Sequence, residues 1–155
     1  MSELNVGDKA PDFELPVDGG GQVNLSQFHG RKVVLYFYPK DDTSGCTSEA
    51  QGFTAAAADF HGTNAVVIGV SKDSIKSHDK FKAKYELNLI LASDESGAMV
   101  ERYGVWVEKS MYGRKYMGID RSTLLIGPDG VIAQIWRKVK VPGHVDAVLK
   151  AAQAL

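Results

Sequence analysis

The segment Lys32-Val33-Val34-Leu35-Tyr36-Phe37-Tyr38-Pro39-Lys40-Asp41-Asp42-Thr43-Ser44-Gly45-Cys46-Thr47-Ser48-Glu49 decides how this 155-residue chain is read. From Lys32 to Tyr38 it is a continuous β-branched and aromatic run, the pattern of a central strand covered on both faces. Pro39 stops it, because proline has no N–H to give to a ladder. After the polar loop Lys40 to Gly45, residues 46–60 are rich in alanine, with Phe53, Ala56, Ala57 and Phe60 at helical spacing. The segment therefore predicts strand, loop and helix in succession, with Cys46 opening the helix.

Working outward, Gly7 to Val23 reads as an extended entry with a hairpin, in which Phe13, Leu15 and Val17 alternate with polar residues. The run Asp18-Gly19-Gly20-Gly21 supplies a turn that permits positive φ. Downstream, Ala65 to Val70 is a second buried strand, and Ser74 to Glu86 is a charged helix with Ile75, Phe81 and Tyr85 as its inward positions. Alternation of strand and helix implies parallel strands joined by right-handed crossovers. A short strand near Leu89 to Ala92, a short helix from Gly97 to Tyr103 and a strand from Thr123 to Ile126 follow. Gly127-Pro128-Asp129-Gly130 then turns the chain into Val131 to Trp136. Pro142 opens a last helix with Val145, Val148, Leu149 and Ala152 as its apolar stripe. The expected architecture is an α/β sandwich with a mixed sheet and helices on both faces, forming one domain over residues 1–155 without repeats or linkers.

Composition narrows the function classes. Lys plus Arg total 18 against 19 for Asp plus Glu, so no basic excess points to nucleic acid or to an anionic membrane. No apolar run approaches the roughly 20 residues of a membrane helix, and residues 1–7 resemble no secretory leader. The single cysteine excludes an internal disulfide, and a lone thiol is expected in a reducing cytoplasm. Composition alone favours reading a solitary cysteine as a small buried apolar residue, so its surroundings have to decide.

Those surroundings suit a reactive thiol. The thiolate is the nucleophile, whereas free cysteine titrates at about 8.5, so an active cysteine needs neighbours that favour the anion. Following a central strand and opening a helix, Cys46 meets unpaired backbone N–H groups and the positive end of the helix dipole. Ligand sites in sheets of this kind also lie beyond the carboxyl ends of the strands, where the loop after Tyr38 must emerge.

The spacing of Pro39, Thr43 and Cys46 matches the active-site loop of peroxiredoxins: Pro, three residues, Thr, two residues, Cys. The run from Tyr36 through Glu49 most resembles the bacterioferritin comigratory protein, or peroxiredoxin Q, subgroup. So do the block from Glu108 to Ile126, the segment Trp136-Arg137-Lys138-Val139-Lys140-Val141, and Gly143-His144. The resemblance spans nearly the whole chain. It implies a thioredoxin-like fold, with a central mixed sheet flanked by helices and an N-terminal β-hairpin, and it implies reduction of hydrogen peroxide and organic hydroperoxides. By the same resemblance Cys46 attacks one peroxide oxygen in line, Arg121 and the Thr43 hydroxyl hold both oxygens, and Pro39 shields the thiolate and fixes the loop. Fixed cationic and hydrogen-bonding groups suit a step that breaks an O–O bond and leaves sulfenic acid. Glu49 either orients Arg121 or complements the helix dipole from the first turn.

Two departures from the subgroup stand out. Ser44 occupies a position where many members have proline. Gln51 occupies the position, five residues after Cys46, where many members have a resolving cysteine. The chain resembles the one-cysteine variants, whose sulfenic acid is reduced by an outside thiol such as glutathione, a glutaredoxin or a thioredoxin; members of the subgroup are often monomers. A sequence in which a resolving cysteine had been replaced would read the same.

Other signals lead elsewhere. His29, His61, His78 and His144 are scattered without i, i+3 or i, i+4 pairs and with no carboxylate cluster to complete a metal site, so neither metal nor cofactor is expected. Gly19-Gly20-Gly21 lacks the setting of a nucleotide-binding loop. Asn24-Leu25-Ser26 matches a glycosylation sequon in a chain without a recognisable leader. Trp106, Met111, Tyr112, Tyr116 and Met117 flank Arg121 in sequence and are read either as an apolar collar for organic peroxides or as packing. Two rivals to the peroxidase remain: a disulfide reductase, which needs Cys-x-x-Cys where this chain has Thr43, and a non-catalytic thioredoxin-fold binding or holdase module with Cys46 structural.

Overall fold

In the computed structural model, which describes residues 4–155, the chain enters through an antiparallel ribbon of β1 (Glu14–Pro16) and β2 (Gln22–Asn24). A 3-10 turn at Asp18–Gly20 joins them, with Gly19 at φ 80° in the left-handed region that glycine adopts without steric cost. The core of the molecule follows: β3 (Lys32–Phe37), α1 (Ser44–Ala55), α2 (Ala57–Gly62), β4 (Ala65–Ser71), α3 (Ile75–Tyr85) and β5 (Ile90–Ser93). Then come α4 (Ala98–Arg102), β6 (Trp106–Met111), β7 (Arg114–Ile119), β8 (Ser122–Ile126), β9 (Ile132–Trp136) and α5 (His144–Ala154).

The main sheet has the order β5-β4-β3-β8-β9, parallel from β3 through β5 and antiparallel from β3 through β9, which makes it a mixed sheet as the sequence implied. Strand β3 lies in its middle, and the run that begins there is buried on both faces. Val33, Leu35 and Phe37 join one cluster with the N-terminal ribbon and α4, while Val34, Tyr36 and Tyr38 join a second with α1, α2, α3 and α5. Helices thus cover both faces, but unequally. A close approach fixes the spacing on the helical side: a β-carbon on Gly69 of β4 would stand 2.8 Å from the Tyr36 ring, so only glycine lets that ring lie flat across the sheet.

Two expectations need correcting, and one element goes beyond them. The helix expected over 46–60 begins at Ser44 and breaks at Ala56 (φ −93°, ψ 5°), so Cys46 lies inside the first turn instead of opening it. On α3 the buried side chains are His78 and Phe81, with Ile75 only half-buried. Trp106 to Ile119, for which composition gave no element, is a separate antiparallel ribbon of β6 and β7; its apolar residues do not alternate because most of it is exposed. Among the described residues no helix is long and apolar enough to cross a membrane.

Candidate active site

Pro39 ends β3 and lies exposed, and the loop it opens runs through Asp41 and Asp42 to Thr43, the residue before α1. The first intrahelical bond runs from the Thr47 N–H to the Thr43 carbonyl at 2.8 Å, so the Ser44, Gly45 and Cys46 N–H groups are left without helical acceptors. Cys46 is almost fully buried, at 1% exposure, with its sulfur at the positive end of α1.

Arg121, the residue before β8, reaches this sulfur from the strand next to β3. Its Nη2 donates to Cys46 Sγ at 3.3 Å, and its Nη1 donates to Glu49 Oε1 at 2.7 Å. One guanidinium therefore bridges the thiol and the carboxylate, and the Val139 N–H donating to the Arg121 carbonyl at 2.9 Å fixes the backbone behind it. Glu49 shares the inward face of α1 with Cys46, one turn further on. It is wholly buried, and its second oxygen has no hydrogen-bond partner. Burial pushes the Glu49 carboxyl up to about 7, with Arg121 opposing the rise. The less buried guanidinium is held above its ordinary value because Glu49 and Cys46 outweigh its own desolvation. The cost of the pair falls on the carboxylate, the deeper partner.

Of the residues singled out from sequence, Cys46, Arg121 and Glu49 meet in direct contact. Thr43 is exposed at the head of α1, with its hydroxyl donating to the Lys40 carbonyl at 2.9 Å. With that proton engaged, the Thr43 oxygen is left as an acceptor. Trp106 packs against the core beneath the Lys72 ammonium, whereas Met111, Tyr112, Tyr116 and Met117 lie exposed on the β6–β7 ribbon.

Other groups at the site escaped the sequence reading. Tyr36 is buried with an unpartnered hydroxyl, and burial first, then the charges of Glu49 and Cys46, hold it well above the ordinary tyrosine value. Lys109 of β6 lies within electrostatic reach of Arg121 and Cys46, and burial draws its ammonium below the ordinary lysine value. His144, at the start of α5, shares a 2.8 Å hydrogen bond with Thr123, and burial, reinforced by Arg121, pushes it down to about 4. Asp41 and His78 form a buried pair at 2.7 Å, and Asp73 stands beside them. The fold thus assembles a histidine and two carboxylates that linear spacing keeps far apart. One signal was present: residues 78, 81 and 85 lie on one helical stripe, which points His78 inward with Phe81. A surface cleft of about 550 Å³ between the Ala10–Asp12 segment and the Gly127–Gly130 turn contains none of the site residues.

The chain is similar to known proteins along most of its length. Residues 6–135 match the model of the AhpC/TSA family. The chain is 51% identical over 146 residues to a putative peroxiredoxin bcp of Coxiella burnetii, covering 94% of this chain and 97% of that one. It is 47% identical to peroxiredoxin Bcp of Bacillus subtilis over 95% of this chain and 94% of the relative. Among solved structures, a Xylella fastidiosa peroxiredoxin Q superposes with a TM-score of 0.94 at 41% identity, covering 99% of this chain and 98% of its own. The Xanthomonas campestris bacterioferritin comigratory protein, a structure described for its alkyl peroxide reduction activity, superposes at 0.88 with 46% identity over 92% and 90% of the two chains.

Proposed function

The chain belongs to the AhpC/TSA family and is a peroxiredoxin of the bacterioferritin comigratory protein, or peroxiredoxin Q, type, a thiol-dependent peroxidase; we propose that its chemistry runs through Cys46, with Arg121, Thr43 and Pro39 completing the site and Glu49 supporting Arg121. The observation that carries this reading is the Arg121 guanidinium, 3.3 Å from the sulfur on one nitrogen and 2.7 Å from Glu49 on the other.

In the first step the Cys46 thiolate attacks the terminal oxygen of a hydroperoxide. An S–O bond forms as the O–O bond breaks; the sulfur is oxidised by two electrons and the peroxide is reduced to an alkoxide, which takes up a proton and leaves as alcohol, or as water from hydrogen peroxide. Arg121 stabilises the negative charge on sulfur before the step and the charge growing on the departing oxygen during it. The Thr43 oxygen accepts a hydrogen bond from the hydroperoxide O–H. Pro39 ends β3 so that the loop leaves the sheet beside the sulfur.

With a single cysteine in the chain, the resulting sulfenic acid condenses with an outside thiol, releasing water and forming a mixed disulfide. A second thiol then frees Cys46 and departs as the disulfide. Glutathione, a glutaredoxin or a thioredoxin would supply these electrons. We place the protein in the cytoplasm as a monomer, since an unpaired essential thiol needs a reducing compartment.

The test is peroxide consumption with glutathione, comparing the unaltered protein with Cys46→Ser. Turnover is expected only in the former, with identical far-UV spectra. Retained turnover in the variant would remove Cys46 from the reaction.

A further inference from the structure

His78 is wholly buried on α3, and both of its ring nitrogens are engaged: Nε2 lies 2.9 Å from the Ala92 carbonyl of β5, and Nδ1 lies 2.7 Å from Asp41 Oδ2. A carbonyl only accepts, so Nε2 carries a proton. The Asp41 oxygens receive the Tyr38 hydroxyl at 2.6 Å and the Ser77 hydroxyl at 2.8 Å, the surroundings of a carboxylate, so Nδ1 donates as well. His78 is therefore an imidazolium facing a buried carboxylate. The titratable groups that face it are Asp41 from the loop after β3, Tyr38, the residue that follows β3, and Asp73 from the turn before α3. Desolvation opposes the charge, but the hydrogen bond and charge of Asp41 outweigh it, and His78 titrates above the ordinary histidine value.

The pair grips the loop that leads into Cys46. The Asp41 N–H donates to Asp73 Oδ2 at 2.9 Å, and that oxygen also receives the Ser71 hydroxyl at 2.6 Å, so Asp41 is held by main chain and side chain together. Asp42 follows at φ 58°, in the left-handed region, which persists in a non-glycine residue when its surroundings dictate it. Its carboxylate is held by Lys84 at 2.7 Å from the same helix. Thr43 then ties back to Lys40. Helix α3 thus acts as a clamp on residues 40–43, and His78 is its buried jaw.

We propose that His78 is a positioning residue of the peroxidatic site, a buried cation that acts through Asp41 to hold the 40–43 loop where Thr43 meets the peroxide and α1 begins at Ser44. The inference rests on the reading of Cys46 and Thr43 given above. Loss of the His78 proton leaves the Asp41 carboxylate buried without its countercharge. The loop then loosens, and Thr43 loses its place before the sulfur loses Arg121.

The first test uses the unaltered protein. ¹⁵N NMR of the imidazole at pH 6 is expected to show both nitrogens protonated. Exchange of the Asp41 amide, which donates to Asp73, should then accelerate, corrected for intrinsic rate, relative to β4 as pH rises through the His78 titration. A neutral ring at pH 6, or a titration that leaves loop exchange unchanged, overturns the proposal. The second test is His78→Gln, Asp41→Asn and the double variant. Each should lower kcat/KM for peroxide roughly tenfold, with the double no worse than either single because the two residues act as one unit. Alkylation of Cys46 by iodoacetamide should change less than about twofold, since the helix terminus and Arg121 remain. Equal losses of turnover and alkylation, or multiplying effects in the double variant, would also overturn it. If instead Cys46 were not the reacting group, Cys46→Ser would retain turnover while the NMR results stood.

Discussion

Gly45 and Arg121 are fitted to one another: a β-carbon on residue 45 would stand 3.2 Å from Arg121 Nη2, the nitrogen that donates to the Cys46 sulfur. The residue beside the nucleophile is small because the guanidinium passes over it. Gly45→Ala should therefore push the cation outward by a few tenths of an ångström while improving helix propensity by up to about 1 kcal/mol. Thermal unfolding and peroxidase kinetics, measured side by side, should show stability held or raised and kcat/KM lowered several-fold. Unchanged kinetics would mean that the guanidinium position is not critical.

Arg121→Met removes the cation shared by sulfur and carboxylate. We expect kcat/KM to fall by roughly 10²–10³, the scale of losing one preorganised charge-stabilising group. The pH profile of iodoacetamide alkylation should move to higher pH, because the same cation serves the resting thiolate. If rate and profile are both unchanged, Arg121 does not act at the sulfur.

Glu49 gives stability a defined pH dependence. Its carboxyl rises from 4.5 to about 7 on folding, so the folded protein binds this proton more tightly than the unfolded chain. The stabilisation is fully present below pH 4.5 and is lost as pH rises through 7, a change of roughly 3 kcal/mol. Denaturant unfolding of Glu49→Gln against the unaltered protein should show a difference that shifts in the variant's favour between pH 5 and pH 8. A pH-independent difference would contradict the burial account. Activity should still fall in the variant, since Arg121 loses its anionic anchor.

Gln51→Cys tests how readily α1 opens. Residues five apart on a helix are separated by about 7.5 Å along the axis and point in different directions. Here Cys46 is buried and Gln51 exposed, so their sulfurs cannot meet without unwinding. Gly45 and Gly52 lower the intrinsic helix propensity of α1, which breaks at Ala56. After one equivalent of peroxide the variant should lose two hydrogens by mass and recover activity with a disulfide reductant. A variant that accumulates sulfenic acid instead would show that α1 stays closed.

Much of this was legible in the sequence because it was local. The run from Val33 to Tyr38, apolar on both faces, specified the middle strand, and the Pro39, Thr43, Cys46 spacing specified the loop. Arg121 was identifiable only by resemblance, since no periodicity links it to a residue 75 positions away. The Asp41–His78 pair was not read at all: a histidine on an inward stripe takes its meaning from its partner across the fold. The β6–β7 ribbon escaped for the opposite reason, as an exposed ribbon needs no alternation of apolar and polar residues.

The most direct test of Cys46 as an unprotected peroxidatic sulfur is intact mass with peptide mapping across a peroxide titration, with and without glutathione. One equivalent alone should add one oxygen at Cys46, and glutathione should convert that product into a mixed disulfide at the same residue. Excess peroxide alone should add a second oxygen and abolish activity that thiols cannot restore. A protein that consumes peroxide while Cys46 stays unmodified, or that survives excess peroxide indefinitely without a thiol, would contradict the account.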